Sequence, residues 1–291
     1  MSARLDPRLN AYRLDLAAES LRGQVDSARF VTGEVRQMAR AFAPLKGKPE
    51  TAHGLDNEIL FGELVTVFDE SDGWAWVQLH RDGYVGYTPA SGLRRHVLPT
   101  THRVSALGTF VYPVPDIKTS PLMHLSMNSE LSVMGHQDQF MSLANGGWVI
   151  SRHVLEKDRF ALDFVAIAER FIGTPYLWGG RTRLGVDCSG LVQIALEAAG
   201  QACPRDSDMQ QAALGAGIAI PADLDGLDRG DLVFWPHHVG IMVDSVMLIH
   251  ANAHHMAVAV EPLQDAVERI ARSGSRISMI KRLESPAGTA A

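Results

Sequence analysis

The sequence predicts an α+β chain in which two small β-barrels precede a domain built as a helix bundle packed on an antiparallel sheet. Three observations predict it. From about residue 40 to residue 157 the chain shows short alternating stretches separated by turn residues, with little helical period, which is the pattern of small barrels. At Cys188 the period changes: Leu191, Val192, Ala195, Leu196 and Ala199 recur at helical spacing until Gly200. Three strand-like runs then follow between residues 230 and 251.

Taken in order, residues 1–38 form a partly helical segment, with a helix-compatible stretch from Leu14 to Leu21. A first barrel is expected over 39–98, from Glu63-Leu64-Val65-Thr66-Val67, Gly73-Trp74-Ala75-Trp76-Val77 and Asp82-Gly83-Tyr84-Val85-Gly86-Tyr87. A second copy over 99–157 contains Glu130-Leu131-Ser132-Val133, Phe140-Met141-Ser142-Leu143 and Gly146-Gly147-Trp148-Val149. Trp74, Trp76 and Trp148 read as core residues. Tyr84 lies in a Gly-containing turn, from which a side chain tends to project outward. Residues 158–283 form the third domain, and 284–291, rich in Ala, Gly and Pro, read as a flexible tail.

The chemistry sits where a loop turns into a helix, at Asp187-Cys188-Ser189-Gly190. Asp187 is a good N-cap. A sulfur on the first turn would feel unpaired N–H groups and the positive end of the helix dipole, both of which favour a thiolate. Downstream, Gly230 to Trp235, His238 to Val243 and Met247 to Ala251 read as successive strands. If an odd-numbered loop closes the second hairpin, His238 and His250 fall opposite each other on one face. The first would then take the thiol proton while the second holds it in the correct tautomer.

Composition excludes some functions. The net charge is −6 and no run of Lys and Arg exceeds two, so no nucleic-acid partner is implied. No segment reaches the roughly 18 apolar residues of a membrane span, and the amino terminus lacks a basic start followed by an apolar stretch. The expectation is a cytoplasmic protein. Two cysteines, Cys188 and Cys203, give no disulfide framework. His237, His238, His250, His254 and His255 crowd with Cys188 in no standard zinc spacing, so neither metal nor cofactor is expected. Oligomeric state is not readable.

Six blocks in order carry a resemblance: Gly173-Thr174-Pro175-Tyr176-Leu177-Trp178-Gly179-Gly180, Asp187-Cys188-Ser189-Gly190-Leu191-Val192, Pro204-Arg205-Asp206-Ser207 with Gln210, Gly230-Asp231-Leu232-Val233-Phe234, His238-Val239-Gly240-Ile241 and Ile249-His250-Ala251. Together they resemble the NlpC-type cell-wall cysteine peptidases, compact papain-like enzymes, and the preceding modules resemble the bacterial SH3-like barrels that accompany them. The resemblance implies Cys188 as nucleophile, His238 as base, His250 as the orienting third residue and Tyr176 as a hydroxyl aimed at the oxyanion. Within the subgroup carrying amino-terminal SH3-like barrels, it implies cleavage of the γ-D-glutamyl–L-diamino acid bond in muropeptides with a free L-alanine end, during peptidoglycan recycling. Tyr84 and Glu63 would then contact the substrate's amino terminus, with Asp187 as a carboxylate for its ammonium group. Trp178, Ser189, Asp206 and Ser207 complete the expected substrate contacts, the last two also reading as a helix N-cap. Competing readings are a papain-like amidase or acyltransferase acting on another amide or a lipid, and an inactive wall-fragment-binding module.

Overall fold

The computed structural model describes residues 5–221 and 223–283. The chain divides into two compact units, split between Arg159 and Phe160. The tail expected at 284–291 lies outside the described residues.

In the first unit, residues 34–94 form a five-stranded antiparallel sheet in the order Val85–Pro89, Trp74–Leu79, Leu64–Ser71, Glu34–Met38, Leu93–Arg94, beside a strand pair Phe42–Leu45 and Asn57–Leu60. The longest hairpin turns at Asp72 and Gly73, both at positive φ (51° and 80°), the requirement of the two-residue turn that matches strand twist. Residues 102–156 add two three-stranded antiparallel sheets and a further strand pair, Gly108–Val111 with Met123–Ser126. Their apolar faces meet around Val104, Val111, Leu125, Leu131, Leu143 and Val149.

The amino-terminal stretch departs from expectation. Leu14 to Leu21 is not a helix; it holds a short strand, Ala17–Ala18, paired in parallel with Phe30–Val31, and one 3-10 turn, Glu19–Leu21. Packing overrides weak helix propensity here: Ala11, Leu16, Ala18 and Leu21 bury against Trp76. Arg13 fixes the segment further, its guanidinium lying 4.4 Å over the Trp76 ring and pairing with Asp69 at 2.7 Å. Trp76 is thus a core residue, whereas Trp74 and Trp148 are half-buried.

The second unit is a six-stranded antiparallel sheet in the order Ala216–Ile218, Met279–Arg282, Leu232–Trp235, His238–Met242, Met247–Asn252, Ala257–Pro262. Its helices are α1 (Phe164–Glu169), α2 (Cys188–Ala198), α3 (Ser207–Ala213) and α4 (Leu263–Ala271). No extended bundle forms. α1 and α3 pack against α2, α2 lies on the strands His238–Met242 and Met247–Asn252, and α4 packs on Ala257–Pro262.

α2 begins and ends where the sequence predicts. Asp187 caps it by accepting the Gly190 N–H at 2.7 Å, and Gly200 follows at φ +80°, the left-handed conformation that stops helices. Every residue of α2 except Glu197 is buried, so the helix is central rather than one-faced. The fit is tight at its first turn: a Cβ on Gly190 would lie 2.4 Å from the Gly180 carbonyl oxygen. Only glycine lets the 173–180 loop press onto the start of this helix.

Candidate active site

Cys188 opens α2 and is 8% exposed. The backbone N–H groups of Val239, on the facing strand, and of Ser189, on its own helix, act electrostatically on its sulfur. Val239 is the residue next to His238. From there a line of hydrogen bonds runs across the sheet: His238 Nε2 to His250 Nδ1 at 2.8 Å, then His250 Nε2 to Glu261 Oε1 at 2.7 Å, and finally Arg269 of α4 donating to both Glu261 oxygens at 2.5 and 2.6 Å.

The two imidazoles are diagonal neighbours, which corrects the directly opposed pair expected from the sequence. The observed register pairs Ile241 with Ile249 and Met242 with Leu248, two positions away from opposing 238 with 250. The closing loop is odd-numbered, so both histidines stay on one face, and diagonal partners remain within side-chain reach. Their ring centroids are 5.0 Å apart. The next step is diagonal too, because His250 is paired with Ala259, two residues from Glu261.

The electrostatics also correct an expectation. Burial first, and then the nearby Asp187 carboxylate, push the thiol's pKa up to about 12, outweighing the N–H groups of Val239 on the strand and Ser189 at the helix start, which pull it down. Burial, joined by the neighbouring His250, pulls His238 down to about 3. Burial thus favours the neutral thiol and the neutral imidazole, a starting point from which the proton moves as the sulfur attacks. Burial also lowers His250, an effect that Glu261 opposes. Burial alone would raise Glu261, but the bonds from His250 and Arg269 hold its carboxyl well below the usual range.

Stability should follow. His238 is depressed in the fold, so its contribution is present above its ordinary pKa of 6.5 and is lost as pH falls toward 3. Cys188 is raised, so its contribution is present below 9.0 and is lost as pH rises toward 12. At pH 10 the thiol alone should cost about 1.4 kcal/mol relative to pH 7. Thermal unfolding at pH 7 and pH 10 checks this: Cys188→Ala should lose less stability than the wild type over that interval, and equal losses would contradict the buried neutral thiol.

Tyr176 lies within electrostatic range of Cys188; burial first, then Cys188 and Asp187, push its pKa up to about 12. Its hydroxyl is thus a donor at any physiological pH. Asp187 is committed to structure. It accepts from Gly179 N–H at 2.8 Å, from Gly190 N–H, and from both terminal nitrogens of Arg205 at 2.9 and 2.7 Å. Arg205 is 1% exposed and also donates to Ser189 Oγ at 2.9 Å. The ammonium anchor expected of Asp187 is therefore not available, since its charge is already neutralised, and Ser189 is buried in the same network. Gln210 ties α3 to α2 by donating to the Ser189 carbonyl at 2.9 Å.

Two further expectations change. Tyr84 is 7% exposed and so not open to solvent, while its backbone N–H donates to Asp82 Oδ1 and its carbonyl accepts from the Leu79 N–H at the entry of a strand. Glu63, 3% exposed, pairs with Arg81 at 2.5 Å and accepts the Leu60 N–H, so its charge is compensated within the first unit. Trp178, by contrast, is 64% exposed on the loop whose next residue, Gly179, bonds Asp187. Asp206 takes the N-cap position of α3 without a capping side-chain bond, and Ser207 is its first residue; both are partly exposed. Cys203 is buried and takes part in no disulfide. His250, His255 and Glu261 bring ligand-type atoms within 4.8 Å of one another, but Arg269 already sits on the carboxylate and opposes a cation there. Glu261, Arg269 and Arg205 were not among the expected site residues; Arg205 carried a signal, standing within one of the six recognised blocks.

A thiol opening a buried helix, under the influence of the strand where an imidazole relay begins and within electrostatic range of a tyrosine hydroxyl, is the arrangement of a cysteine peptidase site. Residues 173–270 match the NlpC/P60 family and residues 46–93 a bacterial dipeptidyl-peptidase Sh3 domain. The protein is accordingly a cysteine peptidase carrying an NlpC/P60 domain and a bacterial SH3 domain. Similar proteins include the gamma-D-glutamyl-L-lysine dipeptidyl-peptidases of Bacillus cereus (26% identical over 245 residues, 73% of this chain and 72% of the relative) and Bacillus subtilis (27% over 241 residues, 75% and 79%). Among solved structures, an NlpC/P60 family protein from Bacillus cereus superimposes with a TM-score of 0.70 at 20% identity, covering 86% of this chain and 99% of that one, a likeness of fold.

Proposed function

We propose that this enzyme hydrolyses the γ-D-glutamyl–L-diamino acid bond of muropeptides bearing a free L-alanine terminus, as a step of peptidoglycan recycling. The observation that carries the proposal is the Cys188–His238–His250 arrangement within an NlpC/P60 domain, in a chain similar along most of its length to enzymes named for γ-D-glutamyl-L-lysine cleavage. The Cys188 sulfur attacks the γ-carbonyl carbon while His238 accepts the thiol proton. The tetrahedral oxyanion takes hydrogen bonds from the Tyr176 hydroxyl and the Cys188 backbone N–H. Collapse expels the amine of the diamino acid, which receives its proton from His238, and water activated by the same imidazole hydrolyses the thioester.

In the second unit Trp178, Asp206 and Ser207 are the accessible candidates for peptide contacts, while Asp187 and Ser189 are enclosed. Residues 39–98 and 99–157 are taken as two SH3-like barrels, with 158–283 as the catalytic domain. The substrate would be a wall fragment met in the cytoplasm, a setting supported by two cysteines outside any disulfide. Among the described residues no helix is long and apolar enough to cross a membrane.

A substrate panel tests the proposal. L-alanyl-γ-D-glutamyl-L-lysine and its meso-diaminopimelate counterpart should release the diamino acid, while the amino-acetylated peptides and intact wall polymer should react far more slowly. Turnover of acyl-lipid amides with no release from either peptide would replace this reading by the amidase or acyltransferase one.

A further inference from the structure

We infer that Glu261 is a positioning residue that sets the proton arrangement of both imidazoles, so that His238 presents the lone pair of Nδ1, and not an N–H, to the Cys188 thiol. The inference rests on the reading of Cys188 and His238 as nucleophile and base, and adds what makes that base competent.

The argument is one of donors and acceptors. A neutral imidazole has one N–H and one lone pair, so a hydrogen bond at either nitrogen decides the role of the other. Glu261 receives two charge-assisted bonds from Arg269 at 2.5 and 2.6 Å, which keep it an ionised carboxylate that can only accept. The 2.7 Å contact then places the hydrogen on His250 Nε2. With that nitrogen protonated, the Nδ1 of neutral His250 can only accept. The 2.8 Å contact from His238 therefore carries its hydrogen on His238 Nε2. One position remains on the His238 ring, Nδ1, and it is bare. The reverse arrangement would need a proton on Glu261, which the guanidinium of Arg269 disfavours, or a second proton on His250, which its burial at 1% exposure disfavours.

The fold makes this relay stiff. His238, His250 and Glu261 stand on successive strands of one sheet, each displaced two residues from the partner opposite, so all three lie on one face. That face also carries Met242 and Leu248, which pack on Leu263 and Ala266 of α4, the helix that supplies Arg269. His250 is 1% exposed, so water has little access to substitute for Glu261. His255 is the other ionisable group acting on His250; its ring bonds Asn252 at 3.0 Å.

Glu261→Gln is the informative change, because it preserves shape while adding a donor. Arg269 would hold the amide oxygen and turn the NH2 group toward His250 Nε2. The relay would invert and leave an N–H on His238 Nδ1, which cannot accept the thiol proton. kcat should fall on the order of a thousandfold with KM within about twofold, and iodoacetamide should alkylate Cys188 correspondingly more slowly, a readout that needs no peptide substrate. Long-range 1H–15N spectra of the histidine rings provide the direct observation, even without a variant: His238 should be the Nε2–H tautomer in the wild type and Nδ1–H in Glu261→Gln. Nδ1–H in the wild type, or wild-type kcat and alkylation in Glu261→Gln, would overturn the inference. If Cys188→Ala still cleaved the peptide while the tautomers behaved as described, the mechanism would fail and the relay would stand.

Discussion

Cys188→Ala is expected to abolish release of the diamino acid from a γ-D-glutamyl peptide while leaving the fold intact. The covalent route has no substitute for the sulfur: Cys203, the other thiol, is buried on the chain after α2, with its sulfur 3.4 Å from the Pro204 carbonyl oxygen. Loss of a nucleophile from a site of this kind costs up to about a millionfold in turnover. Structure should tolerate the change, since alanine is the best helix former and loses one buried heavy atom, a cavity cost of about 1 kcal/mol. Initial rates together with thermal unfolding check both halves. Wild-type-like turnover would remove Cys188 from the mechanism, and an unfolded variant would mean that the sulfur has a structural role this account does not give it.

The second large effect falls on a residue that touches no reacting atom. Arg205→Ala should destabilise the second unit by roughly 3–5 kcal/mol, the usual cost of stranding one member of a buried ion pair. Arg205 is 1% exposed and Asp187 7% exposed; with the guanidinium gone, the carboxylate would keep only its bonds from Gly179, Gly190 and Ser189. For a unit of this size the midpoint should drop by roughly 10–20 °C. Turnover should fall as well, because Asp187 holds the first turn on which the sulfur sits. A midpoint within about 2 °C of wild type would show that Asp187 is satisfied without Arg205.

The reach of the sequence can be judged from these residues. α2 was legible because its signals are local: a cap, a three-and-four spacing and a terminal glycine. Cys188, His238 and His250 were legible as an ordered set, and the strands holding both histidines appear where alternation placed them. Register was not legible, since the loop between Met242 and Leu248 fixes which residues oppose each other, and a two-residue slip turned an opposed pair into a diagonal one. The same limit hid Glu261 and Arg269, whose roles exist only once a third strand and α4 are brought alongside. The burial that opposes a thiolate at Cys188 was not legible either, because it is a tertiary quantity that helix position does not report. Tyr84 and Glu63 illustrate a related point: a turn glycine does not dictate where the next side chain goes, and a carboxylate in the sequence does not announce its arginine. The segment at 14–21 likewise took its form from Trp76, some 60 residues away along the chain.

Covalent labelling tests the central claim most directly. A γ-D-glutamyl peptide ending in a chloromethyl ketone in place of the scissile amide should alkylate the chain once with loss of chloride, and peptide mapping by mass spectrometry should find the thioether on Cys188, with labelling greatly slowed in His238→Ala. An adduct on Cys203, or full turnover from protein whose Cys188 is quantitatively blocked, would contradict the account.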